Sequence, residues 1–493
     1  MHSFEPLLLL DVRQTATTGL PEFAQACSTR MHLGDRLVTL FGRPDASGDV
    51  VLSAVLQPVS GELCVLRSRA LSTASYPSLT TEHPAAQMFE RELWEQTGIT
   101  PVNHPWLKPV RYEGALQQTM AQHSFFKVRG PEVHEVGVGP IHAGVIEPGH
   151  FRFMCLGEQV HHLELQLGYQ HRGLEPLLLR RSPLALAATV ESICGDSCIA
   201  NAWAYCASVE AMAEIPATTE SNLTRAVALE LERVAMHLAT LAGLATDIAF
   251  LQGGASYGRL RTAIINATMR VCGSRFGRGW VRPGGVRFGL TDTLRADLTQ
   301  TLTAFSMDIA TVNTLMRKAR SVQARVQGVG IVDAKTAKDL GLLGLVARAS
   351  GIAVDTRTSL PGALHRQWPL VALSEPAGDC WARMQLRMRE IDASVNWLIA
   401  VLGDAALELH ARPQPMNQRL RPDLLCISLR EGARGQVVHV LETSPQGDLL
   451  HYKVQDPSLQ NWFGLALAMR DNAISDFPIC NKSFDLSYCG NDL

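Results

Sequence analysis

Residues 294–315 read LRADLTQTLTAFSMDIATVNTL. Leu294, Leu298, Leu302, Phe305, Ile309, Val312 and Leu315 step by three or four, the stride of one long amphipathic helix. Trp381 to about Leu402 repeats the pattern, with Met384, Met388, Ile391, Val395, Leu398 and Leu402 on one side. Such stripes read as packed core, not as a cofactor box. Toward the N-terminus the pattern changes. Arg36–Phe41 and Val50–Val55 have strand length and are separated by a turn-like stretch at 43–48. A helix is predicted over Pro84–Thr97, with Pro84 near its first position and Gly98 just past its end. A Gly/Pro-rich segment between Val128 and Pro140 reads as a boundary, and from about Gln436 strand-like alternation returns. The expected fold class is α+β. A small α/β sandwich-like domain covers residues 1–130, and a mainly helical domain with short peripheral strands covers 136–493.

At 493 residues the chain is long enough for two or three buried cores. Its 45 Lys+Arg nearly balance 47 Asp+Glu, so no strong field attracts nucleic acid or an anionic membrane. No run of about 18 uncharged apolar residues offers a spanning helix. The opening MHSFEPLLLLDVRQ carries Glu5 ahead of a short apolar run, so no secretory leader is expected. Eleven scattered cysteines do not make a disulfide framework. A soluble protein of a reducing compartment is expected, reaching a membrane only through a partner.

Phosphate-cradling glycine loops, zinc-protease signatures and C-x-x-C pairs are all missing from the sequence. A dinucleotide therefore needs a site elsewhere. Three polar clusters remain. Glu230, Arg233 and His237 share one helical face, either as a charge relay or as a satisfied ion pair. Cys194 and Cys198 stand four apart on an expected helix, either as two thiolates for a metal or as small buried hydrophobes. His142 and His150 lie in a Gly/Pro loop, followed by His171-Arg172-Gly173-Leu174-Glu175, and form a candidate proton-handling site.

Gly139-Pro140-Ile141-His142, Gly168 through Glu175, and Leu231-Glu232-Arg233 with His237-Leu238 occur in a telling order. Arg282 through Val286, Arg348 through Gly351 with Asp355 and Arg357, Gly378-Asp379 with Arg383, and Ser483-Phe484-Asp485 continue it. In this order the second domain resembles the large-subunit family shared by nickel–iron hydrogenases and the quinone-end core subunit of respiratory complex I. Tyr76-Pro77-Ser78-Leu79, Phe89 through Ile99 and Asn103-His104-Pro105 resemble complex I's small companion subunit. The fusion is similar to the large subunits of formate hydrogenlyase and related membrane-bound hydrogenases.

The resemblance implies four nickel-ligand positions, which fall here on Cys194, Ser197, Ser487 and Gly490. Only the first is a thiol, so a nickel–iron centre is not expected. It further implies that His142 or His150 faces a quinone head group, although Gly195 replaces the usual tyrosine and Pro176 the usual lysine. Glu175, Glu232 and His237 are candidate proton carriers; Arg172, Arg282 and Asp379 are candidate cofactor-binding residues. The implied activity is electron transfer from an iron–sulfur partner to quinone or a similar acceptor, within an NADH:quinone oxidoreductase-like complex. The 4Fe–4S clusters and any NAD(P)H site belong to partners. Those partners are an iron–sulfur small subunit, other hydrophilic subunits and integral-membrane ion-translocating subunits, with the chain peripheral on the cytoplasmic side of the inner membrane. A scaffold that has lost catalysis, or a residual hydrogenase subunit, is the alternative.

Overall fold

The computed structural model describes residues 6–59, 61–114, 116–180, 182, 185–416 and 419–493; Glu5 and the four residues before it lie outside them. Strands Arg36–Pro44, Asp49–Gln57 and Cys64–Leu71 form an antiparallel sheet, with the short strand Thr17–Thr18 added in parallel. The turn at 43–48 closes the first hairpin, as its composition predicts. On one face Leu37, Leu40, Leu52 and Leu56 meet Phe23 of helix Leu20–His32 and Phe89 and Leu93 of helix Gln87–Thr97. Pro84–Ala86 forms a single 3-10 turn ahead of that second helix, and Gly98 ends it at φ +85°. A left-handed residue there is the usual helix stop, and glycine adopts it without strain.

Val38, Phe41 and Val55 point to the other face and pack on Leu425, Ile427, Leu429, Val438 and Val440 of a second sheet. That sheet runs in the order Leu7–Asp11, Leu424–Glu431, Gln436–Thr443, Leu449–Gln455, all antiparallel. Its strands are not peripheral, contrary to the expectation from sequence. Every residue of Leu424–Glu431 and Gln436–Thr443 is buried, because the first sheet covers one side and helix Cys198–Ala213 the other. The strand Leu7–Asp11 pairs with Leu424–Glu431 from the far end of the chain. The Gly/Pro-rich boundary segment itself carries strand Val133–Val138, which pairs with His150–Leu156.

Helices Thr219–Asp247, Leu251–Cys272, Asp292–Lys318 and Cys380–Gly403 make up the main bundle. Thr218, Thr291 and Asp379 cap three of them by accepting from the backbone N–H of Ser221, Leu294 and Ala382. The apolar stripe of 380–403 is buried, as its stride predicts. In Asp292–Lys318 the buried line ends on Met316, while Leu315 is exposed. Among the described residues no helix is long and apolar enough to cross a membrane.

Candidate functional site

Two segments nearly three hundred residues apart meet in one buried cluster of side chains, the Cys194 pocket. Cys194 lies in a turn ahead of helix Cys198–Ala213, and Ser487 caps the last short helix, Tyr488–Asp492, through the Gly490 N–H at 2.9 Å. The Cys194 thiol lies 3.1 Å from the Ser487 hydroxyl and donates to Asp196 Oδ1 at 3.0 Å; Cys489 Sγ is 3.5 Å from the same hydroxyl. A hydrogen bond with Cys489, and then burial, push the Cys194 thiol well up, and the same bond pulls Cys489 down to about 7. The two thiols are thus shifted in opposite directions. Arg434 grips Asp196 with two bonds of 2.7 and 2.8 Å and passes 3.8 Å from Cys194 Sγ. Burial would raise the Asp196 carboxyl, but Arg434 outweighs it and holds it below the ordinary range.

Cys198 takes no part in this pocket. The chain turns at Gly195-Asp196 and the helix begins only at Cys198, so the two cysteines do not share a helical face as expected. Cys198 donates to Gly195 O and Glu191 O, and burial pushes its thiol up to about 12. Ser197 is buried at that helix start. Arg172 closes the pocket from another side, donating to the carbonyls of Ser192 and Ile193 at 2.7 and 2.9 Å and to that of Cys489 at 3.4 Å.

The histidine loop is stitched across its own neck: His142 Nε2 lies 2.8 Å from Gly149 O, and His150 Nδ1 lies 3.0 Å from Gly139 O. Gly149 abuts the C-terminal turn so closely that a Cβ there would fall 2.8 Å from the Tyr488 ring. On either side of His142, Ile141 and Val145 are more than four-fifths exposed. Glu147, which no sequence pattern singles out, reaches the Tyr488 backbone; partial burial and the nearby Asp196 charge raise its carboxyl. In the sequence Asp196 is merely a neighbour of Cys194, and Arg434 carries no signal beyond a turn between two strands.

The expected proton carriers separate. Glu175 is not paired with Arg172. It accepts from the Val454 N–H at 2.9 Å and lies 3.0 Å from the Lys453 ammonium, which is 2.6 Å from Glu92. Glu232 accepts from the Ile199 and Ala200 N–H groups at the start of the helix that follows Cys194; burial nonetheless pushes its carboxyl up to about 8. His237 lies 2.9 Å from Glu390, and burial pulls its imidazole down to about 4. Glu230, Arg233 and His237 form no isolated relay. Glu230 pairs with Arg233 and Arg357, His237 with Glu390, and Arg348 joins Glu390 and Glu431 at 2.7 and 2.8 Å. Arg282 pairs with Glu191 at 2.7 Å, and Asp379 spends its carboxylate on the Ala382 and Gly328 N–H groups.

Residues 253–408 match the family model described as the 49 Kd subunit of respiratory-chain NADH dehydrogenase, and residues 16–120 match that of its 30 Kd subunit. One chain thus carries a segment similar to the 30 Kd subunit followed by a segment similar to the 49 Kd subunit. With these two modules side by side it is similar to formate hydrogenlyase subunit 5 of Escherichia coli (strain K12), at 27% identity over 93% of this chain and 85% of that one. The carbon monoxide-induced hydrogenase of Rhodospirillum rubrum is 27% identical over 71% of this chain and 97% of its own length. An NADH-quinone oxidoreductase subunit of Campylobacter concisus is 28% identical over 61% of this chain and 77% of its own. In fold, the chain matches a subunit of the membrane-bound sulfane sulfur reductase, an archaeal respiratory membrane complex, with a TM-score of 0.69 at 20% identity; 73% of this chain and 99% of that one are covered.

A nickel–iron centre does not fit the Cys194 pocket. Of the four positions carried over from the hydrogenases, Cys194 alone is a thiol, and soft thiolates are what such a centre requires. Ser487 is engaged as a helix cap. Gly490 is closed as a ligand position, because any Cβ there would collide with the Asp456 carboxylate.

Proposed function

We propose that this chain is the quinone-end core subunit of a membrane-attached, complex I-like oxidoreductase. It would pass electrons from an iron–sulfur partner to quinone or a similar acceptor without nickel. The observation that carries the reading is the pocket itself. The Cys194 turn meets the Ser487–Gly490 turn and the His142/His150 loop abuts Tyr488, while of the four positions that the resemblance assigns to nickel only Cys194 is a thiol. Full reduction of a quinone takes up two electrons and two protons. Glu232, whose carboxyl burial pushes up to about 8, and Glu147, whose carboxyl is also raised, are this chain's candidates to hold those protons. The exposed Ile141 and Val145 beside His142 suit a surface that an iron–sulfur subunit or an apolar acceptor covers. On this reading the 4Fe–4S clusters and any NAD(P)H site lie on partners, and the chain sits at the cytoplasmic face of the inner membrane beside ion-translocating subunits.

The test uses the intact complex. Elemental analysis is expected to find no stoichiometric nickel. Chemically reduced clusters are expected to be reoxidised by a short-chain quinone. About one nickel per chain, or hydrogen uptake with an artificial acceptor, would restore the hydrogenase reading. Clusters that reduce but never pass electrons to quinone would leave the chain a scaffold.

A further inference from the structure

We propose that His32, Glu82 and His83 form a binding site for a divalent transition-metal ion of the zinc class on the N-terminal module. The site is independent of the electron-transfer reading, since no residue of the Cys194 pocket contributes to it. His32 is the last residue of helix Leu20–His32, and Glu82 and His83 link two single 3-10 turns, Leu79–Thr81 and Pro84–Ala86. One ligand atom from each of the three lies within 4.8 Å of those of the other two. His32 Nε2 and Glu82 Oε2 are 3.2 Å apart, and the two imidazole rings stand edge to face with centroids 4.4 Å apart. In a tetrahedral zinc site with bonds of about 2.0–2.2 Å, neighbouring ligand atoms are separated by roughly 3.3–3.6 Å. The His32–Glu82 spacing already approaches that edge.

The support beneath these side chains is rigid. Ser28, one helical turn before His32, donates to Glu82 Oε2 at 2.9 Å and lies 3.1 Å from His83 Nε2. Its hydroxyl thus bridges two of the three side chains and fixes the carboxylate, as outer partners do around metal ligands. The backbone leading to Glu82 is anchored by the buried Glu90 carboxylate, which accepts from the Leu79 and Thr80 N–H groups at 2.8 and 3.1 Å. Pro84 fixes the chain immediately after His83. Convergence on rigid backbone from two separate elements distinguishes this trio from a chance surface pairing of imidazoles.

Two imidazoles and one carboxylate select the class of ion. Calcium and magnesium want six or more oxygens or several waters. Copper(I) wants thiolate or thioether ligands. Zinc, cobalt(II) or nickel(II) accepts two nitrogens and an oxygen, and the three-ligand set leaves a coordination position open. His32 and Glu82 are exposed, so that position faces solvent. A bound ion would tie the end of helix Leu20–His32 to the segment that launches helix Gln87–Thr97. By binding only the folded module it would raise the melting temperature with metal concentration.

The experiment is equilibrium dialysis of the intact complex, first treated with chelator, against zinc(II), with metal counted per chain and melting followed in parallel. Wild type is expected to bind one zinc equivalent more than His32→Ala, and zinc is expected to raise the melting temperature of wild type only. His32 is exposed, so this variant leaves the fold intact. Glu82→Gln keeps the shape and the Ser28 bond but removes the anionic ligand, and is expected to lose the same equivalent. Equal zinc counts in wild type and His32→Ala would overturn the site, as would a count that Glu82→Gln leaves unchanged.

Discussion

The Arg348 network and the Cys194 pocket are both built around buried polar side chains, and they satisfy them in opposite ways. Around Arg348 the buried charges answer one another: Glu390 and Glu431 lie on the guanidinium itself, His237 on Glu390, and Arg357 on both Asp355 and Glu230. Burial would raise the Glu230 carboxyl, but Arg233, Arg357 and the Ser394 hydroxyl hold it at about 2. In the Cys194 pocket, of the positions that the resemblance assigns to nickel, Ser487 serves as a helix cap and Gly490 has no side chain, while Arg434 holds Asp196 beside Cys194. The contrast separates two kinds of buried polar site. The network cannot lose a member without stranding a charge; the pocket can hold a hydroxyl in place of a thiol, because a capping hydroxyl leaves nothing unsatisfied.

Arg348→Met breaks this contrast most severely. It leaves Glu390, Glu431 and Asp355 buried with fewer cations, and removal of one partner from such a network costs about 3–5 kcal/mol. Loss of assembled complex, or a large fall in melting temperature, is the expected reading. A melting temperature equal to wild type would mean the network is ornamental.

Glu232→Gln tests the ground between the two regions. Because the folded carboxyl is raised from 4.5 to about 8, the native state binds more protons than the unfolded chain between those values. Its contribution is therefore fully present below pH 4.5 and is lost as pH rises toward 8. Glu232→Gln is expected to flatten that decline, melting closer to wild type at about pH 5 and above it at about pH 8. An unchanged slope would place the titrating proton elsewhere. Glu175→Gln comes next. It retains an acceptor for the Val454 N–H but withdraws one anion from Lys453, at a cost of about 1–2 kcal/mol in the melting curve. If electron transfer to quinone also stops while the complex stays assembled, Glu175 carries protons as well as pairing with Lys453.

How far the sequence revealed all this depended on distance along the chain. Helix Cys380–Gly403 was legible because its apolar stride and its Asp379 cap are local. The strands read from about Gln436 were expected at the periphery, and strand Leu424–Glu431 beside them was not read at all. A strand covered on both faces loses the alternation that marks a half-buried one, and its neighbour Leu7–Asp11 comes from the other end of the chain. The Cys194–Ser487 meeting followed from the resemblance, not from spacing. Arg434 and Glu147 stayed hidden because single charged residues acquire their partners only on folding.

The smallest effect is the most discriminating. Cys194→Ser is expected to change stability by no more than about 1 kcal/mol, since a hydroxyl can replace the thiol beside Ser487 and Asp196. The chemistry of its neighbour should move instead. Cys489 is partly exposed, and the bond with Cys194 holds it at about 7, so its alkylation by iodoacetamide in wild type should reach half its limiting rate near that pH. Cys194→Ala removes the donor that stabilises the thiolate, so the midpoint should climb toward the ordinary thiol value near 9. Cys194→Ser keeps a donor and should fall between. If all three proteins titrate alike, the two thiols do not share a proton, and the pocket is then a packed relic, not a proton-holding one.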